Sequence, residues 1–239
     1  RWFHRWRDER FRYYADLGIE PSRLRLRQHE PDEIAHYAKV AVDVEYDFPS
    51  GWQELEGIHN RTDFDLRQHA GLSGKDLSYL DDGSSGGTQG ERFIPYVIET
   101  AVGLTRTVLA VLSDAYDEEQ VDGETRTVLR FHPAIAPIAI GVFPLVKKDG
   151  LAELAKEIES DLRINFDTFY DQGGAIGRRY RRQDEIGTPY CVTVDHQTKD
   201  DGTITVRLRD SMEQIRIHRD EIQRKISDLT NEYVRVGGS

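Results

Sequence analysis

Three groups of residues in this chain have the types and spacing for chemistry. The first is Glu99, Gly103 and Arg106, in the pattern Glu-x3-Gly-x2-Arg within FIPYVIETAVGLTRTVLAVL. The apolar run predicts a buried strand over 93–99, and the run after it predicts a helix over 106–113. A carboxylate at a strand end and a guanidinium at a helix start can face one cleft. There the carboxylate suits an ammonium group, and the arginine with the positive helix terminus suits a phosphate. Gly103 lets the backbone approach a ligand or turn tightly. The same spacing also fits a plain strand-to-helix corner with one structural ion pair.

The second group lies in GWQELEGIHNRTDFDL. Glu54 and Glu56 stand two apart on a predicted strand, so their side chains are expected on the same face. Arg61 and Asp65 follow. The third group is a basic run, Arg178, Arg179, Arg181 and Arg182, with Asp184 close behind. Such a run can contact phosphates or be only a solvated helix face. His29 and His36 would lie about two turns apart even on one helix, too far to share an ion, so no metal site is expected.

The elements that must position these residues read as follows. Residues 2–17 form an amphipathic helix stopped by Gly18, and 24–27 alternate as a short strand. The segment from His29 opens a helix with Pro31 in its first turn. Residues 40–48 and 52–59 pair as an antiparallel hairpin through 49–51. DDGSSGGTQG gives a flexible loop over 82–90. An acidic surface region follows at 114–124, then a short strand at 128–131. The proline-bounded HPAIAP places a domain boundary between 132 and 133. Beyond it strands at 138–145, 166–170, 190–194 and 203–208 alternate with helices at 151–162, 176–185 and 219–233. That alternation implies a small α/β domain with a mixed sheet.

Composition bounds the class. At 239 residues, 38% hydrophobic and 31% charged, the chain holds one large or two ordinary domains. No window approaches the roughly eighteen apolar residues of a membrane span. The opening RWFHRWRDERFR lacks a signal-peptide pattern. The single Cys191 excludes a disulfide framework and fits a reducing compartment, so a cytoplasmic location is expected. The net charge of −11 argues against a general nucleic-acid binder, although a local basic patch on an acidic body can still contact phosphates.

The stretch around Glu99 and Arg106 resembles motif 3 of the class II aminoacyl-tRNA synthetases, in the form found in the dimeric glycyl-tRNA synthetases. GWQELEGIHNRTDFDL (51–66) and RLRLRQHEPDEIAHYA (23–38) match the same family. GAIGRRYRRQDEIGTPYCVTVD (174–195) matches its anticodon-binding domain. The resemblance implies an α/β (α+β) architecture. Residues 1–132 would be the C-terminal part of an antiparallel-sheet catalytic domain, and 133–239 a mixed-sheet anticodon-binding domain. It implies a homodimeric ligase that uses ATP and Mg2+ to join glycine to tRNA-Gly. Glu54 and Glu99 would hold the substrate ammonium, with Ala101 beside it. Arg106, with Gly103 and Arg61, would bind ATP. Arg178, Arg179, Arg181, Arg182 and Asp184 would contact tRNA. No side chain need act as a nucleophile, because the glycine carboxylate itself attacks the α-phosphate.

The chain departs from the family at three points. Thr100–Ala101 stands where Pro-Ser is frequent, so a hydroxyl contact to glycine is absent, and Thr105 replaces a frequent Asp before the arginine. Neither motif 1 nor motif 2 is found, so this chain alone is expected to be inactive as part of a longer enzyme. The residues also leave open a synthetase-like accessory protein that binds nucleic acid without activating an amino acid.

Overall fold

The computed structural model describes residues 1–83 and 90–233. The expected flexible loop at 82–90 therefore lies largely outside the described residues. Packing divides the chain into two units, Arg1–Ala110 and Val111–Ser239.

In the first unit α1 (Trp2–Asp16) leads through a turn at Gly18 to β1 (Leu24–Gln28), β2 (Val40–Phe48) and β3 (Gly51–Asn60). Then come α2 (Phe64–Ser73), the two-residue strands β4 (Tyr79–Leu80) and β5 (Arg92–Phe93), β6 (Ile98–Val102) and α3 (Leu104–Ala115). The strands form a four-stranded sheet in the order β1-β2-β3-β6, antiparallel throughout. One face carries Val42, Val44, Tyr46 and Ile58, all buried, and receives α1. Glu56, fully buried on that face, accepts from Arg10 Nε at 2.7 Å and from Tyr14 Oη at 2.9 Å. Burial beside this carboxylate pushes the Tyr14 hydroxyl pKa up.

Two sequence expectations change here. The buried strand over 93–99 is broken. Pro95 has no N–H to give a ladder, so strand pairing stops after Phe93 and resumes only at Ile98, and the segment is half-exposed. The helix expected from His29 is a series of turns, in which the Glu33 N–H bonds Glu30 O at 2.9 Å and the Glu33 side chain accepts from the Glu30 N–H at 3.0 Å and from Arg27 at 2.5 Å.

The second unit takes up the end of α3 from Val111 and continues into a hairpin, β7 (Tyr116–Val121) and β8 (Glu124–Leu129). The region expected to be an acidic surface segment is thus α3's last turn and a paired strand. The chain continues through β9 (Ile140–Pro144), α4 (Leu151–Leu162), β10 (Thr168–Tyr170), α5 (Ile176–Ile186), β11 (Tyr190–Val194), α6 (His196–Asp201), β12 (Thr203–Leu208), β13 (Gln214–His218) and α7 (Ile222–Asn231). The sheet order is β10-β9-β11-β12-β13, parallel at its first three strands and antiparallel beyond. Its core joins Ile140, Val142, Val192 and Val206 to Leu151, Ile158 and Ile226.

The division falls upstream of the expected 132/133 boundary because the hairpin is locked to the second unit by charge. Arg126, 1% exposed, donates to Asp184 Oδ2 at 2.9 Å and also pairs with Glu119. Arg130 reaches Asp210 at 3.2 Å, and Arg209 Nη2 donates to Phe131 O at 2.8 Å. Gly187 completes the seam. At φ +83° a Cβ there would come 2.4 Å from the Phe131 ring, so glycine is required on both counts.

α6 and β13 are joined by Asp195, which accepts from the Thr198 N–H at 3.1 Å and from both ends of the Arg216 guanidinium at 2.8 and 2.9 Å. The Arg216 pair, against the cost of partial burial and aided by the Thr198 cap, lowers the Asp195 pKa to about 2. A depressed carboxylate stabilises the fold above its unfolded pKa and loses that stability as pH falls through the folded value. Asp195→Asn keeps a cap but removes the charge, and is expected to cost about 1–2 kcal/mol near neutral pH, discounted for partial exposure. Urea unfolding should show this difference shrinking as pH is lowered from about 4 towards 2. A difference independent of pH would mean the ion pair contributes nothing.

Candidate active site

Register decides which side chains meet on the other face of the first sheet. β2 and β3 pair regularly from Val40↔Asn60 to Val44↔Glu56, but the next pair is Glu45↔Glu54. Leu55 is therefore an extra residue, a β-bulge, and it reverses the alternation of everything before it. Glu54 and Glu56 were expected on one face; the bulge puts them on opposite faces. Glu56 goes inward to Arg10 and Tyr14, while Glu54 joins Asp43, Glu45, Gly57 and His59 on the charged face. A Cβ built at Gly57 would lie 3.4 Å from the His59 ring and 3.5 Å from Glu54 Oε1, so the three share one small area.

β6 supplies the other wall. Glu99 stands opposite His59 and Ala101 opposite Gly57. Glu99 lies inside β6 rather than at a strand end, and its Oε2 is 3.1 Å from His59 Nδ1 and 2.9 Å from Arg61 Nη1. Burial alone would raise the Glu99 pKa, but the Arg61 and His59 hydrogen bonds outweigh it and hold it below the usual carboxylate range. Arg61 was expected beside ATP. Instead its Nε and Nη2 donate to Asp65 at 2.6 and 3.0 Å, its remaining nitrogen holds Glu99, and its plane lies 4.0 Å over the Tyr37 ring. Asp65 and Glu99 thus occupy all three of its nitrogens.

β6 ends at Val102, opposite Glu56, and the chain turns through Gly103 into α3. Arg106, in the first turn of that helix, takes over from the ladder: its Nη1 donates to Glu54 O at 2.8 Å. The rest of its guanidinium is exposed and has no carboxylate partner among the described residues. The Glu54 carboxylate is likewise exposed and unpaired among the described residues. One free carboxylate and one free guanidinium thus meet at the bulge, beside a second carboxylate held in place by Arg61. The arrangement can bind a small zwitterion by its ammonium and a phosphate by its negative oxygens. His59 and Gly57 were not singled out from sequence, although both lie at the same strand parity in ELEGIH.

In the second unit the basic run divides by helix face. Arg178 and Arg182 are exposed, and Arg182 pairs with Asp171. Arg181 is half-buried, 3.7 Å from Asp184. Arg179 and Asp184 were expected at the surface and are interior. Arg179, 3% exposed, donates to the carbonyls of Pro144, Asp171 and Leu145, and Asp184, fully buried, pairs with Arg126 and Arg207. Their inward position follows from the stripe Ile176, Arg179, Tyr180, Gln183, Asp184, spaced by three and four. Arg179→Met should lower stability by roughly 2–4 kcal/mol in urea unfolding, because three carbonyls lose a charged donor, while Arg178→Ala should change it by less than about 0.5. Equal, small effects would remove Arg179 from the interior frame.

Comparison with known proteins fits both units. Residues 139–229 match the family model described as an anticodon binding domain. A glycine–tRNA ligase of Treponema denticola is 54% identical over 98% of this chain and 52% of its own length. Those of Caldanaerobacter subterraneus and Clostridium tetani are 51% and 50% identical, each over 95% of this chain and 48% of theirs. The chain thus spans about half the length of the curated relatives it matches. A crystal structure of prolyl-tRNA synthetase from Cryptosporidium parvum, complexed with L-proline and AMP, superposes with a TM-score of 0.66 at 17% identity, over 94% of this chain and 45% of that one. At that identity the likeness is one of fold. By sequence along nearly its whole length the chain is similar to about half of a glycine–tRNA ligase, its fold is like that of the prolyl-tRNA synthetase, and residues 139–229 match an anticodon binding domain.

Proposed function

We infer that the charged face of the first sheet is the glycine site of a glycine–tRNA ligase, which activates glycine with ATP and transfers it to tRNA-Gly. The observation that carries this reading is the bulge at Leu55, which brings the unpaired Glu54 carboxylate to the face of Glu99, Gly57 and Ala101. The substrate ammonium takes Glu54 and Glu99 as its acceptors. Gly57 and Ala101 form a floor of minimal side chains, and charged neighbours leave no apolar recess for a side chain on the substrate. Larger amino acids are rejected sterically and by the cost of an unmet carboxylate. The hydroxyl that the family often has at 101 is missing, so the two carboxylates carry the recognition here.

The glycine carboxylate oxygen attacks the α-phosphorus of ATP, and pyrophosphate leaves with the electron pair of the broken P–O bond. The terminal ribose hydroxyl of tRNA then attacks the glycyl carbonyl and AMP leaves. Arg106, anchored through one nitrogen to the Glu54 carbonyl, offers its other donors to the phosphates. Arg61 keeps Glu99 ionised and aimed. The protein's contribution is placement and charge. Magnesium takes mainly phosphate and water oxygens with one or two carboxylates. Glu45, opposite Glu54 in register and oriented by Arg25 at 2.6 Å, would be the carboxylate to hold it, and the ion would supply charge neutralisation to the triphosphate. The second unit contacts the anticodon through its exposed arginines, Arg178 and Arg182. The ligase acts in the cytoplasm as a homodimer, as the resemblance implies.

Glycine-dependent ATP–pyrophosphate exchange by the full-length protein tests this reading. Glu99→Gln keeps the shape and removes the charge, and should lower the specificity constant for glycine about ten- to 150-fold, the worth of one charge-assisted hydrogen bond. Arg106→Ala should act mainly on ATP. Unchanged glycine use by a folded Glu99→Gln protein would make Glu99 a corner residue only. A wild-type protein that binds tRNA but catalyses no exchange would be the non-catalytic accessory protein instead.

A further inference from the structure

The charged face holds a second constellation that the ligase reaction does not use. His29, one residue past β1, Asp43 on β2 and His59 on β3 each bring a donor atom to a common point, the three atoms lying within 4.8 Å of one another. His29 Nε2 is 2.7 Å from Asp43 Oδ2, and the two imidazoles stand edge to face with centroids 6.1 Å apart. The sheet explains why they converge. The His29 N–H bonds Ala41 O at 3.1 Å, and His59 stands opposite Ala41 in register, so only a methyl group lies between the rings. Asp43 follows two residues along on the same face. His36, the partner considered from sequence, packs on Phe64 instead.

We propose that His29, Asp43 and His59 form a binding site for a divalent d-block cation of the zinc type. Two imidazole nitrogens and one carboxylate oxygen suit a borderline ion and disfavour magnesium, which takes oxygen donors. Three protein ligands leave a fourth position for water or another small ligand. The surroundings have the form expected around a metal-bound imidazole. His59 Nδ1 is within hydrogen-bond distance of Glu99, so its N–H donates there and the lone pair stands on Nε2. Gly57 leaves open space beside that nitrogen, since a Cβ there would come 3.5 Å from it. Asp43 is 5% exposed, with Arg27 Nη1 at 3.7 Å as its other charged neighbour, so the carboxylate is held for coordination rather than free in solvent. Binding requires the His29–Asp43 hydrogen bond to give up its proton and the pair to open slightly.

One consequence rests on the glycine reading. An ion at this point adds two positive charges next to the His59–Glu99 pair, in the neighbourhood offered to the substrate ammonium. Its occupancy should therefore weaken glycine binding.

The metal site itself is tested on this chain, freed of metal with chelator and titrated with Co2+ while the visible d–d bands are recorded. One equivalent giving the intense bands of a four-coordinate N2O site, displaced by Zn2+ and not by Mg2+, is the expected result. His29→Ala and His59→Ala should each weaken Co2+ binding on the order of 100-fold, and Glu99→Gln by about ten- to 100-fold. His218→Ala, in the second unit, should leave it unchanged. Thermal unfolding of each variant separates lost binding from lost fold. Absence of a stoichiometric band, or a band indifferent to both histidine variants, would overturn the proposal. In the full-length protein, glycine affinity with and without Zn2+ then tests the coupling. Stoichiometric Zn2+ with unchanged glycine affinity overturns the antagonism and leaves the site. Failure to bind glycine in the absence of Zn2+ counts against the glycine reading and not against the metal.

Discussion

A charge cannot be buried without partners, and that constraint on Glu56 organises the first unit. Glu56 lies under α1 with no exposure, and it is tolerable there only because Arg10 and Tyr14 both donate to it. In a regular strand Glu54 would point the same way and place a second carboxylate in the same interior with no cation left to meet it. The extra residue Leu55, 2% exposed, resolves this by taking up a place in the core and reversing the strand before it. One carboxylate then fastens the helix to the sheet while the other is free for a ligand. The same irregularity gives Arg106 a carbonyl to hold, so the cation and the free carboxylate are brought together by a single backbone feature.

The second unit solves the same problem with arginines. Asp184 sits fully buried between Arg126 and Arg207, and Arg209 donates to the carbonyls of Gly187 and Phe131. These contacts join the β7–β8 hairpin to the mixed sheet more firmly than apolar packing of a strand as acidic as YDEEQV allows. Asp184 is thereby withdrawn from the surface, and Arg179, one member of the basic run, is withdrawn by its own bonds to the Pro144 and Leu145 carbonyls. The exposed arginines that remain sit on a chain of net charge −11, which confines attraction for any phosphate to their neighbourhood.

Strong periodicity made much of this legible in the sequence. The spans Leu151–Leu162, Tyr190–Val194 and Thr203–Leu208 and the hairpin of β2 and β3 agree with their apolar spacing. Glu99, Arg106 and Glu54 were singled out by resemblance, and the structure places Glu54 and Glu99 on one sheet face with Arg106 bonded to the Glu54 carbonyl. What sequence did not yield has physical reasons. Pattern gives period but not register, so the bulge and the separation of Glu54 from Glu56 were invisible. Pro95 was read as part of an apolar run, though it ends the strand pairing. A helix was expected after His29 from a proline and acids that in fact close a turn with Arg27. α6 and β13 are short and polar, and prolines at 133 and 137 do not reveal that the β7–β8 hairpin packs with the unit beyond them. Buried Arg179 and Asp184 look like surface residues until their helical spacing is laid against Ile176, Tyr180 and Gln183.

The account stands or falls on Glu54 and Glu56 doing different work from opposite faces of one strand. The direct measurement is calorimetric glycine affinity of the full-length protein, beside its thermal unfolding, for Glu54→Gln and Glu56→Gln. The account predicts that Glu54→Gln loses glycine affinity by roughly tenfold or more with stability intact. Glu56→Gln should lose several kcal/mol of stability, about what breaking a buried pair costs, while its folded fraction binds glycine within about twofold of wild type. The reverse assignment, or equal effects of both substitutions on glycine, would contradict the bulge as the feature that builds the site.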